Sequence, residues 1–211
     1  MICEVHVTEP SVDQVRIGVM GGTFDPIHNG HLLAAEEARC NFNLREVIFV
    51  PSGHPPHKDV RRISSPEDRF RMVSLAVGGN RFFRVSRIEM DSPGPHHTVD
   101  TIGNLIKQYG PRVSFYFITG IDSVLQIMSW KSPLRLAEVC RLVAVSRPGY
   151  NLDRIRDLPE EVRASVRVLE IPLMAISSTD IRNRVREGRS VRYLVPDPVH
   201  RYLLERGLYR C

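Results

Sequence analysis

Residues 18–39 read GVMGGTFDPIHNGHLLAAEEAR. An apolar run, RIGVMGG, leads into Gly21 and Gly22, passes through Thr23, Phe24, Asp25 and Pro26, and reaches His28 and His31 where a helical pattern begins. Strand, turn and helix in succession form the unit from which parallel sheets are wound. The two glycines remove side chains where the strand turns, so a phosphate can approach the backbone. Unpaired N–H groups at the start of the helix face the same spot. Only Asn29 and Gly30 separate the histidines, so both imidazoles can point into one pocket and donate hydrogen bonds to phosphate oxygens.

The alternation continues outward from this stretch. His31 to Phe42 reads as the first helix, REVIFVPSG as a second strand, and SSPEDRFRMVSLAV as a second helix. That helix has strong start signals: Ser65 as N-cap, Pro66 at the first helical position, then Glu67 and Asp68. FFRVSRIEM reads as a third strand and TVDTIGNLIKQYG as a helix ending on Gly110. RVSFYFITG, CRLVAVSRPG and SVRVLEIP read as three further strands. SSTDIRNRVREG and PDPVHRYLLERG read as two closing helices, stopped by Gly188 and Gly207. Near-continuous apolar strands alternating with helices predict an α/β fold, a doubly wound parallel sheet flanked by helices. One domain is expected over residues 15–211, with a small helical part over about 177–211. Residues 1–14 are expected as a flexible extension, and the charged segment Asn151 to Ala164 as a loop outside the sheet core. In such sheets ligands bind beyond the carboxyl ends of the strands. Those ends carry GGTFDPIHNGH, PSGHPPHK, TGID, SRPGY and PLMAISSTD, and this clustering of chemistry is more informative than any one motif.

The totals narrow the function classes. The chain has 211 residues and a formal net charge of +5, which suits anionic ligands but is too weak, without a basic stripe, for a nucleic-acid binder. Cys3, Cys40, Cys140 and Cys211 are scattered and match neither a disulfide framework nor a zinc site. The first residues do not read as a signal peptide, and no stretch approaches the length needed to span a bilayer. The expectation is a cytoplasmic protein with no nucleic-acid or membrane partner. Homo-oligomerisation stays open.

With GGTFDPIHNGH, FVPSGHPPHK, HHTVDT, FITGIDSVLQIMSWK, VSRPGY, ISSTDIR and YLVPDPVHRYL in that order, the chain from Arg16 to Tyr209 resembles the H-x-G-H nucleotidyltransferases. Within them it resembles the nicotinate-mononucleotide adenylyltransferases, bacterial enzymes that make deaminated NAD. The resemblance implies a Rossmann-like fold and transfer of AMP from ATP to nicotinate mononucleotide, with Mg²⁺ accompanying ATP. It implies that His28, His31 and Arg182 are catalytic, with His31 stabilising the transition state. Gly21, Gly22, Thr23, Phe24, Ser178 and Thr179 would join these three residues around ATP. Lys58, Thr98, Gly120, Asp122, Trp130 and Arg147 would serve the acceptor, with Trp130 stacking on the pyridine ring. Arg147 is the least determined of these, since it can equally support the nucleotide or pair with a surface acid. No residue is expected to ligate a metal; Asp25 is read as shaping the turn before Pro26.

Those residue types suit the chemistry without the family. The attacking phosphate is already an anion, so the reaction needs positioning and charge neutralisation rather than a protein nucleophile. Ser177, Ser178 and Thr179 can also cap a helix, and Arg182, one turn in, can reach back to the same anion. Two alternatives remain at this stage. One is the same transfer onto nicotinamide mononucleotide or another phosphate acceptor such as phosphopantetheine. The other is a non-catalytic nucleotide-binding protein.

Overall fold

Strand and helix alternate in space as they do along the chain. The computed structural model describes residues 14–55, 63–172 and 174–210. Six parallel strands form one sheet: β1 (Val15–Gly22), β2 (Glu46–Pro51), β3 (Phe83–Val85), β4 (Val113–Gly120), β5 (Cys140–Ser146) and β6 (Val166–Glu170), in the order β3-β2-β1-β4-β5-β6. The helices are α1 (Asn29–Asn41), α2 (Pro66–Val77), α3 (Thr98–Tyr109), α4 (Ile121–Leu125), α5 (Pro133–Val139), α6 (Glu160–Ser165), α7 (Ser178–Arg186) and α8 (Asp197–Glu205).

Two cores lie on opposite faces of the sheet, as continuous apolar strands require. On one face Ala34, Ala35 and Ala38 of α1, Met72 and Val73 of α2, Ile181 of α7 and Leu203 of α8 pack with Met20, Val47 and Phe49. On the other, Ile102 and Leu105 of α3, Val124 of α4, Leu136 of α5 and Val162 of α6 pack with Val19, Ile48, Phe115 and Leu142. The strand order reverses at β1, which lies between β2 and β4, and this puts a crevice at its carboxyl end. Among the described residues no helix is long and apolar enough to cross a membrane.

The start signals of α2 operate as read. Ser65 Oγ accepts from the Asp68 N–H at 3.1 Å, a cap worth about 1 kcal/mol. Gly188 and Gly207 follow α7 and α8 at φ of 68° and 61°, the left-handed geometry that ends helices, and Gly110 caps α3 at φ 81°, ψ 178°, a conformation open to glycine.

Three expectations change. The first helix begins at Asn29 with His28 as N-cap, so both histidines belong to its opening turn. FFRVSRIEM is a strand only from Phe83 to Val85. The pairing stops at Phe49↔Val85, two residues before β2 itself ends at Pro51, and the chain leaves the sheet with Arg87 turned outward to Glu67 and Asp91. The segment Asn151 to Ala164 is not a loop outside the core. It holds a 3₁₀ turn (Asp153–Asp157) and α6, and Leu158 and Val162, spaced i,i+4, are buried against the α3 face. Two apolar residues among many charges are a weak signal for a helix. The extension expected over residues 1–14 lies, save for Gln14, outside the described residues, as does Lys58.

Candidate active site

The turn between β1 and α1 places both histidines. Phe24 holds φ at 51°, rare for an aromatic residue, and sinks into the core with its ring edge-on to His31 at 5.1 Å. The His28 and His31 rings stack at 3.7 Å between centroids. The His28 backbone N–H donates to His31 Nδ1 at 3.2 Å, which leaves Nε2 of neutral His31 as a donor for a ligand. Gly30 lets this happen: a Cβ there would sit 3.1 Å from His28 Nδ1.

α7 closes the turn from the other side. Ser177 caps it by accepting from the Asp180 N–H. Ser178 Oγ donates to the Pro26 carbonyl at 2.8 Å, and Arg182 Nη1 donates to the Asp25 carbonyl at 2.7 Å. Arg182 Nη2 reaches Thr179 Oγ1 at 3.3 Å. Asp25 is buried and accepts from Tyr209 Oη at 2.7 Å and the Ser64 N–H at 3.3 Å. It shapes the turn, and its carboxylate points into protein. Among the described residues three buried side-chain polar atoms lack a partner: Asp25 Oδ2, His28 Nδ1 and Arg182 Nε. All three flank this turn. Asp25 Oδ2 faces the Arg182 guanidinium, 4.0 Å from Nη1, so part of this polarity is paired as charge within the protein.

Burial pushes the His28 imidazole from 6.5 down to about 4. His31 is held well below its ordinary value by burial and then by repulsion from His28. Both rings are therefore neutral donors in the free protein near pH 7. The unfolded chain binds the His28 proton at 6.5 and the folded chain only near 4. Stability therefore falls as pH drops through that window, by about 3 kcal/mol for His28 alone. His28→Gln should flatten the slope. Urea unfolding inside and above the window checks this, and an unchanged slope in the variant would remove His28 as its source.

Two clefts open beside the turn. The first, about 350 Å³, is lined by Gly21, Gly22 and Thr23 after β1, Ser52 and Pro55 after β2, Glu89, His96, Thr98 and Thr101 around the start of α3, and Trp130. Trp130 is half-buried and edge-on to Phe117 at 6.0 Å. The second, about 230 Å³, is lined by Gly30, Gly120, Asp122, Arg147, Tyr150, Met174 and Ala175, among others. Tyr150 Oη donates to Asp122 Oδ1 at 2.6 Å. The residues expected around the acceptor are thus divided. Thr98 and Trp130 line the first cleft, whereas Gly120, Asp122 and Arg147 line the second.

Glu89, His96, Arg69 and Tyr150 were not foreseen. Glu89 is buried beside Thr101, whose Oγ1 donates to it at 2.6 Å, and burial raises its carboxyl above the ordinary range. Reading residues 82–90 as one strand hid it. Tyr150 lay within the SRPGY motif and could have been drawn from it.

A parallel sheet with its crevice at the strand ends, and imidazole and guanidinium donors at two helix starts, is the design of a nucleotidyltransferase. A cytidylyltransferase-like family model matches residues 19–184, and the chain belongs to that class of enzymes. A Moorella thermoacetica protein described as "probable nicotinate-nucleotide adenylyltransferase" is 48% identical over 97% of this chain and 94% of its own length. A Thermoanaerobacter protein of the same description is 46% identical over 93% and 95%. Within the class, the chain is a member of the nicotinate-nucleotide adenylyltransferase family. The fold is shared with the solved Plasmodium falciparum nicotinic acid mononucleotide adenylyltransferase complexed with NaAD, at a TM-score of 0.75 and 18% identity, covering 93% of this chain and 98% of that one.

Proposed function

We propose that this protein transfers AMP from ATP to nicotinate mononucleotide, giving nicotinate adenine dinucleotide and pyrophosphate, a step of NAD biosynthesis. The carrying observation is that His28, His31 and Arg182 converge on the turn whose two ends, Gly21–Thr23 and Gly30, line the two clefts. In this reading the acceptor occupies the first cleft, with its pyridine ring on Trp130. ATP occupies the second, with its ribose near Asp122, its triphosphate running to His28 and His31, and Arg147 on the nucleotide side. A phosphate oxygen of the acceptor attacks the α-phosphorus in line. The bond to the β-phosphate oxygen breaks and pyrophosphate leaves, with no proton transfer demanded of the protein. His31 Nε2–H and the Arg182 guanidinium neutralise charge that grows on the phosphoryl oxygens.

Among the described residues no group of three or more His, Cys, Asp or Glu has metal-site geometry. Donors of this kind suit phosphate oxygens, and magnesium, which keeps few protein ligands, enters on the triphosphate as part of the substrate. Residues 15–211 act as one unit, since α7 and α8 share the core that backs the histidines.

Trp130 is the only tryptophan, so its fluorescence reports one place. Nicotinate mononucleotide should quench it and ATP alone should do much less. Trp130→Ala should raise the acceptor KM about tenfold or more while costing little stability, since stacking is largely ground-state binding. Quenching by ATP but not by the mononucleotide would reverse the assignment of the clefts.

A further inference from the structure

Arg69 is the largest of the fully buried side chains, at 0% exposure. Burying a guanidinium is expensive, and an apolar side chain of similar volume is often no less stable in such a place. Arg69 sits in the first turn of α2, and its donors fan out to three separate segments. Nη1 donates to the Thr23 carbonyl at 3.0 Å, Nη2 to the Gly53 carbonyl at 3.3 Å and Nε to the Ser64 carbonyl at 3.2 Å. Thr23 belongs to the loop after β1. Gly53 belongs to the loop after β2, whose Ser52 and Pro55 line the first cleft together with Thr23.

The chain of contacts continues past Gly53. A Cβ at that position would lie 2.2 Å from the Glu89 carbonyl oxygen, so this loop packs backbone against backbone on the segment after β3. Glu89 in turn accepts from Thr101 Oγ1, and Thr101 shares the opening turn of α3 with Thr98. A continuous line of contacts therefore runs from Thr23 through Arg69, Gly53 and Glu89 to Thr101, and Thr23, Glu89 and Thr101 all line the first cleft. The Arg69 charge also faces Asp25 on the histidine turn. None of Thr23, Gly53 and Ser64 lines the second cleft.

We infer that Arg69 is a positioning residue for the acceptor: its guanidinium sets the spacing of the loops after β1 and β2 that shapes the first cleft. The inference rests on the proposed assignment of that cleft to the mononucleotide. A lysine at this position keeps the charge, but its single ammonium cannot span three carbonyls on three segments.

The test is steady-state kinetics of Arg69→Lys and, independently, Gly53→Ala, which would push the same loop off Glu89 without touching a charge. Each variant should raise the acceptor KM by about tenfold or more and leave the ATP KM within about twofold, a split that a general loss of structure would not produce. In the double variant the acceptor KM should rise less than the product of the single effects, because both changes disturb one spacing. Equal rises in both KM values, or an acceptor KM within about twofold of the parent in either folded variant, would overturn the inference. If Arg69→Lys does not fold, Gly53→Ala decides the matter alone. If the parent enzyme uses the amide mononucleotide in place of the acid, the acceptor reading fails, and the same split read with the amide still decides the role of Arg69.

Discussion

His31→Ala is expected to lower kcat by about 10²–10³-fold, or roughly 2.7–4 kcal/mol, with a modest change in either KM. The loss is large because Nε2–H of His31 is a preorganised neutral donor. Its other nitrogen is occupied by the His28 N–H and its ring is wedged between His28 and the Phe24 edge, so in the proposed reaction it would meet the phosphoryl oxygens without reorganising. Some stability goes with it, since the bond from the His28 N–H is part of the start of α1. Loss of a helix-start contact costs about 1 kcal/mol. A melting curve beside the kinetics separates the two effects. A variant with near-normal kcat would remove His31 from the chemistry.

Arg182→Lys should be almost as damaging, though a lysine keeps the charge. The guanidinium does two jobs at once. Nη1 braces the Asp25 carbonyl and Nη2 reaches Thr179 Oγ1, and in the proposed reaction the same planar fork also meets a phosphate oxygen. An ammonium cannot serve both. Loss of one charge-assisted hydrogen bond is worth about 2 kcal/mol, so kcat/KM for ATP should fall on the order of 30-fold. Arg182 lines neither cleft and sits on the turn between them, so under the proposed reading it meets the triphosphate and the acceptor KM should move little. If only the acceptor constant changed, the division of the two clefts would be wrong.

The sheet was legible because its signals are redundant. Five of the six strands run into a chemically distinctive segment at the carboxyl end, and the caps at Ser65 and Gly110 are local. The histidine turn was legible for the same reason, since its glycines and imidazoles are neighbours in sequence. What escaped depends on contacts between distant residues. Arg69 reads as one more surface charge on an amphipathic helix, and only the fold turns it inward to the carbonyls of Thr23 and Gly53. Glu89 seemed part of a strand because nothing local shows where β2 stops supplying hydrogen bonds to its neighbour. The separation of Asp122 from Trp130 follows from α4 and the turns after it, which carry Trp130 away to the other cleft within a few residues.

The central claim is that this site joins an adenylyl group to the acid form of the pyridine mononucleotide. The most direct measurement is product analysis with ATP and Mg²⁺, with nicotinate and nicotinamide mononucleotides supplied separately and pyrophosphate followed alongside the dinucleotide. The account predicts stoichiometric pyrophosphate and nicotinate adenine dinucleotide, with kcat/KM for the acid well above that for the amide. Equal or greater use of the amide, or pyrophosphate release that does not depend on either mononucleotide, would contradict it.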